Sequence, residues 1–171
     1  MPEQKAADAI TLLKNDHREV EELFARYEKA RPGTKQKLAE QICNELKIHS
    51  MIEEEIFYPA CEGVVEEDDL KEAYVEHDGA KVLINDILSE RRDSDDFYDA
   101  KVKVLQEEIE HHVKEEESGK DSIFGQVQSA KELDLKELGE QMFARKQELQ
   151  KKAEAGALPP ASTKTMTPLP L

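Results

Sequence analysis

The stretch 49-HSMIEEEIFYP-59 carries a histidine and a glutamate, His49 and Glu53, four residues apart within a run of regularly spaced apolar positions. Leu38, Ile42 and Leu46 before it and Ile52 and Ile56 inside it recur at three- and four-residue intervals, which marks one face of an α-helix. Side chains four apart on a helix lie about 6 Å from each other on the same face, so His49 and Glu53 can reach one point. Pro32-Gly33 with Thr34 as a cap opens this helix and Pro59 closes it, which predicts a span of about 34–59.

Before it, Ile10, Leu13, Val20, Phe24 and Tyr27 form a second stripe, with His17 in its one missing place, predicting a helix over about 6–30. After the turn at Gly63, Leu70, Ala73, Ala80, Ile84 and Ile87 predict a third helix over about 68–92, with His77 on the stripe. Asp93-Ser94-Asp95 then starts a fourth, whose apolar face is Val102, Leu105, Ile109 and Val113. Four helices with short connections predict an all-α, antiparallel up-down-up-down four-helix bundle about 35 Å long over residues 1–120. Leu133, Leu135, Leu138, Met142 and Leu149 predict an additional C-terminal helix over about 134–152, within an extension spanning 121–153, which can lie against the bundle or a partner. Residues 154–171, rich in Pro, Ala and Thr, read as a disordered tail.

The halves of the bundle repeat. Offsets of −7, −4, +3, +7 and +10 from His17 fall on Ile10, Leu13, Val20, Phe24 and Tyr27, and the same offsets from His77 fall on Leu70, Ala73, Ala80, Ile84 and Ile87. Around His112 in 111-HHVKEEE-117, offsets of −7 and −3 give Leu105 and Ile109, with Glu116 at +4, matching His49 and Glu53. The register therefore turns His112 inward and leaves His111 on the surface.

Composition limits the function classes. The chain has 171 residues, of which 39 are Asp or Glu and 24 Lys or Arg, a net charge of −15 that repels nucleic acid and anionic membranes. No apolar run spans a bilayer, and Met1-Pro2-Glu3-Gln4 lacks the features of an export signal, so a cytoplasmic location is expected. Cys43 and Cys61 read as reduced thiols.

A single histidine in an apolar stripe is ordinarily a hydrogen-bonded core residue. Four at comparable heights, with Glu53 and Glu116 on the same faces, are not, because two carboxylates in a core cost several kcal/mol each unless neutralised. Beyond Lys81 no stripe-facing Lys or Arg is available, so bound cations are expected. A donor set of imidazole and carboxylate without thiolate suits iron or manganese better than a closed structural zinc site.

This pattern, H then HxxxE then H then HxxxE, resembles the hemerythrin-like HHE cation-binding domains of bacterial type, through His17, His49 with Glu53, His77, and His112 with Glu116, over about residues 6–120. The resemblance implies two iron ions with an oxo or hydroxo bridge and a dioxygen, peroxide or nitric oxide ligand. The six ligands and the bridge leave about one open position per metal. Oxygen-carrying hemerythrins have a further histidine one turn from the third-helix ligand, where this chain has Ala73 and Lys81. They also end in HxxxxD, where this chain has HxxxE, with Glu117 at the longer spacing. These departures favour turnover, such as a weak peroxidase or catalase activity, over stable oxygen carriage. The alternatives are an iron-handling protein without redox turnover and a structural-metal interaction module that recruits a partner, or a second copy, through the C-terminal helix. Asp16 and Asp78, beside His17 and His77, read as solvated surface rather than as hydrogen-bond acceptors for the ligands.

Overall fold

The computed structural model describes residues 7–167; Met1-Pro2-Glu3-Gln4 and the last four residues of the tail lie outside them. Asp8 caps α1 (Ala9–Lys29) by accepting from the Thr11 amide at 2.8 Å. Pro32 opens α2 (Pro32–Ile52), in the first turn, where its missing N–H leaves nothing unpaired. Thr34, expected as the cap, lies inside that turn and donates its hydroxyl to the Arg31 carbonyl at 3.0 Å. A single π-turn (Glu53–Phe57) carries α2 into the short α3 (Tyr58–Cys61). Then follow α4 (Glu67–Ser89) and α5 (Tyr98–Glu117). Helix α1 packs on α2, α2 on α4 and α4 on α5, and α5 closes back on α1, so the expected bundle forms.

The π-turn shifts the register that the apolar stripe predicts. Ile56, expected inward, is half-buried, while Phe57 and Tyr58 are both fully buried. A π-turn fits one extra residue into a turn, and this moves every later side chain around the axis.

The core is divided in two. Ile10, Leu13, Ile52, Phe57 and Leu70 belong to one apolar cluster, and Phe24, Ile42, Ile84 and Leu105 to the other. Chain positions 17, 49, 77 and 112 fall where one cluster gives way to the other.

The C-terminal region holds more structure than its composition suggests. Ser122 caps an unexpected helix, α6 (Ile123–Ala130), which buries Phe124 and Val127 in the first cluster. Asp134 caps α7 (Leu135–Glu154), which packs along α1 and α2 and fully buries Met142 and Leu149. Its apolar stripe is thus used within the chain. Gly139 permits this approach, since a Cβ there would stand 2.1 Å from the Ala7 carbonyl oxygen. Beyond α7 the described residues hold no regular secondary structure. Residues 161–165, expected as part of a disordered tail, have their backbone hydrogen-bonded to Asn85, Lys81 and Asp78 of α4. Those three buried or half-buried side chains supply the fixed partners that composition alone cannot show.

Candidate metal centre

The four stripe histidines meet as two pairs. His17 Nε2 and His49 Nε2 lie 3.2 Å apart, and His77 Nε2 and His112 Nε2 lie 3.1 Å apart. Two carboxylates lie between the pairs. Glu53 Oε1 is 2.7 Å from His49 Nε2 and 3.5 Å from His77 Nε2, and Glu116 Oε1 is 2.6 Å from His112 Nε2 and 3.7 Å from His17 Nε2. Each glutamate therefore reaches one histidine of each pair. His17, His49 and Glu116 form one group able to hold an ion, and Glu53, His77 and His112 form another, all of them buried.

The outer nitrogens fix how the rings present themselves. Nδ1 of His49 faces Asp16 at 3.1 Å, that of His77 faces Glu54 at 2.8 Å, and that of His112 faces Glu76 at 3.0 Å. Glu117 lies 3.7 Å from Nδ1 of His17. A carboxylate accepts only from a protonated nitrogen, so this outer ring of acceptors holds the proton on Nδ1 and turns the Nε2 lone pair inward. Three of the outer carboxylates have a cation behind them, Lys146 on Asp16, Lys81 on Glu54 and Arg18 on Glu117, and the His111 ring lies beside Glu76. Burial acts to raise these carboxyls, but hydrogen bonds to the imidazoles and the nearby positive charges override it. All four sit below the usual carboxylate range.

A cation fits the inner groups on their own chemistry. Both oxygens of Glu53 and both of Glu116 are fully buried, and none accepts an aligned hydrogen bond. Inward lone pairs of four imidazoles and two carboxylates repel one another unless something positive lies between them. In a metal-free chain protons must serve. Burial opposes charge on His112, but the adjacent Glu116 and Glu53 and the hydrogen bond that its Nδ1–H donates to Glu76 push its pKa up to about 10. Burial likewise works against charging His49, and Glu53 with Asp16 raises it well above its ordinary value. Burial and the neighbouring charge of Glu53 raise Glu116; Glu53, despite burial, is held far down by His49 and His77.

Tyr58 is the inward-facing residue that sequence spacing misses. Its hydroxyl lies 3.3 Å from Nε2 of both His77 and His112. Burial and then the charges of Glu116 and Glu53 raise its pKa well above the ordinary phenol value, so the proton stays on Oη. On a regular α-helix a residue five places after Glu53 points about 140° away from it. The π-turn removes that offset, and Tyr58 donates its backbone N–H to the Glu53 carbonyl.

His17, His49, Glu53, His77, His112 and Glu116 thus converge, while His111 is exposed, with its side chain 64% accessible. Glu117 does not reach the inner face. The surface reading of Asp16 and Asp78 is overturned: Asp16 is buried against His49, and Asp78 is fully buried under the C-terminal tail. Glu54 and Glu76 went unrecognised because runs of acidic residues look alike until the partner helix is in place. A cavity of about 30 Å³ adjoins the imidazoles, lined also by Val20, Leu46, Ala80, Ile84 and Val113. It is apolar and has room for about one small molecule.

The sequence matches the hemerythrin HHE cation binding domain over residues 8–119. The fold is similar to the crystal structure of a hemerythrin HHE cation binding domain-containing protein from Mycobacterium kansasii, with a TM-score of 0.73 and 25% identity, covering 87% of this chain and 91% of that one. A protein named DNA nickase from Nostoc sp. is 31% identical over 108 residues, which are 63% of this chain; they span 30% of that relative's length.

Proposed function

The chain belongs to the hemerythrin HHE cation-binding domain family, and from that premise we propose that it is a nonheme diiron protein that binds or reacts with dioxygen, peroxide or nitric oxide. The observation that carries the reading is the pairing of four inward Nε2 atoms by two buried carboxylates that lack other partners. His17 and His49 would hold one ion, His77 and His112 the other, and Glu53 and Glu116 would touch both. When bound, two irons supply open coordination positions and two electrons for a small oxidant.

The remaining work falls to the chain. Asp16, Glu54 and Glu76 orient the imidazoles through Nδ1. Val20, Ile84 and Val113 keep bulk water from the inner face, and the size of the cavity restricts entry to small ligands. Tyr58 keeps a proton at Oη beside the His77–His112 pair, where a ligand that gains negative charge can accept a hydrogen bond. The activity in the Nostoc relative's name is not extended to this chain, which covers 30% of that protein and carries a net charge of −15.

The test is anaerobic loading with ferrous iron, a count of iron per chain, and rapid mixing with dioxygen, peroxide or nitric oxide while the near-ultraviolet and visible absorption is followed. Close to two irons per chain and an absorption change with at least one ligand are expected. Two irons that respond to none of the three would reassign the chain to iron handling. One tightly held colourless metal would favour a structural role.

A further inference from the structure

Two of the four histidine–carboxylate contacts are completed from outside the segment that matches the family. On α7, Lys146 donates to Asp16 Oδ1 at 2.5 Å, and the other oxygen of Asp16 accepts from His49 Nδ1 at 3.1 Å. The preceding residue, Arg145, grips Glu55 with Nε at 2.8 Å and Nη2 at 3.3 Å, so α7 also holds the π-turn that presents Glu53 and Tyr58. The first contact sits behind the His17–His49 pair.

The tail supplies the second contact, behind the other pair. Asn85 clamps Ala161 in both directions, donating to its carbonyl and accepting from its amide, each at 2.8 Å. Asp78 accepts from the amides of Lys164 and Thr165 and from the Thr165 hydroxyl, the last two at 2.6 Å. Lys81 then donates to the Ser162 carbonyl at 2.9 Å and to Glu54 Oε1 at 2.9 Å. Glu54 Oε2 in turn accepts from His77 Nδ1 at 2.8 Å. The tail crosses α4 where Lys81 of that helix meets Glu54 of the π-turn, and both are almost wholly shielded from water.

The structure assigns to the C-terminal extension a positioning role at the metal centre, exerted on His49 through Lys146 and Asp16 and on His77 through the tail, Lys81 and Glu54. This deepens the diiron reading and rests on it for the identity of the ion. A carboxylate that has lost its cation, or whose pocket has been opened to water, exchanges its imidazole hydrogen bond for solvent. The ring then turns more freely and Nε2 is a poorer ligand. The hydrogen bonds themselves, and their effect on ring orientation, need no metal.

Three full-length variants test the assignment. Lys146→Met keeps the stem and removes the charge, Lys146→Arg restores it, and Thr165→Pro removes both the amide and the hydroxyl that bind Asp78 in a segment without regular structure. The first readout is release of bound ferrous iron to a strong ferrous chelator. About tenfold faster release is expected for Lys146→Met and for Thr165→Pro, and near wild-type release for Lys146→Arg.

The second readout is the ¹⁵N signals of the imidazole Nδ1 atoms in the metal-free protein. Lys146→Met is expected to shift His49 and spare His77, and Thr165→Pro to shift His77 and spare His49, a selectivity that general loosening of the fold would not give. Unchanged His49 signals in the first variant or unchanged His77 signals in the second overturn the assignment, whatever the iron does. A wild-type chain that takes up no second iron would overturn the diiron reading alone, since the imidazole signals still decide this one.

Discussion

Tyr58 and Glu53 are joined by a backbone hydrogen bond that spans five residues, from the Tyr58 N–H to the Glu53 carbonyl, and both side chains face the same buried site. A π-turn is less favourable than a regular turn, and here it lies between α2 and α3, in the stretch that presents Glu53, its outer neighbour Glu54 and the Tyr58 phenol at once. Tyr58→Phe removes only the hydroxyl. That variant should retain both metals and the fold, while peroxide consumption by the iron-loaded protein slows about tenfold or more if Oη supplies a proton. Unchanged rates in stopped-flow mixing would leave Tyr58 a packing residue.

Replacing Glu53 or Glu116 with Ala should abolish metal retention, because each removes a buried carboxylate that reaches one histidine of each pair. His111→Ala should keep nearly all of it, since that ring is exposed and only assists Glu76. Metal counted per chain after gel filtration checks both. Loss of metal in the His111 variant with retention in His112→Ala would reverse the register.

The metal-free protein should lose stability as pH rises. His112, with its folded-state pKa near 10 against an ordinary 6.5, contributes stability that is complete below about 6.5 and lost as pH climbs toward 10. His49 and Glu116, also raised, act in the same direction, each losing its contribution as pH passes its folded-state value. Glu53, held low, opposes this only in strong acid. Each histidine contributes a slope of at most about 1.4 kcal/mol per pH unit within its window. Urea unfolding at pH 7 and 9 measures the difference, and equal stabilities would argue against protonated histidines in the apo core. Metal affinity should run the opposite way, rising with pH as those protons leave.

Gly139→Ala places a methyl against the Ala7 carbonyl and the Ala9 amide, where α7 meets the start of α1. Either α7 moves away or α1 shifts, at a cost of about 1–3 kcal/mol. Thermal unfolding of the holoprotein would register this, and a neutral result would mean that α7 docks more loosely than its buried Met142 and Leu149 indicate.

Both thiols should be unreactive in the folded protein. Burial pushes Cys43 and Cys61 up to about 12, so neither forms appreciable thiolate near neutrality. A colorimetric disulfide reagent should titrate none until denaturant is added.

The sequence alone determined the bundle and the inward placement of four histidines and two glutamates, because both follow from helical periodicity, and His112 is separated from His111 by the same arithmetic. Tertiary structure decided everything that depends on which surfaces meet. Asp16 and Asp78 look like surface acids until α7 and the tail cover them, and Glu54 and Glu76 acquire meaning only opposite His77 and His112. The order of residues 161–165 rests on hydrogen bonds to side chains some 80 positions earlier, which no local pattern encodes. Tyr58 was hidden for a different reason: one π-turn breaks the 3.6-residue period by which the four histidines and two glutamates could be read, and that break is made where α2 ends against the site.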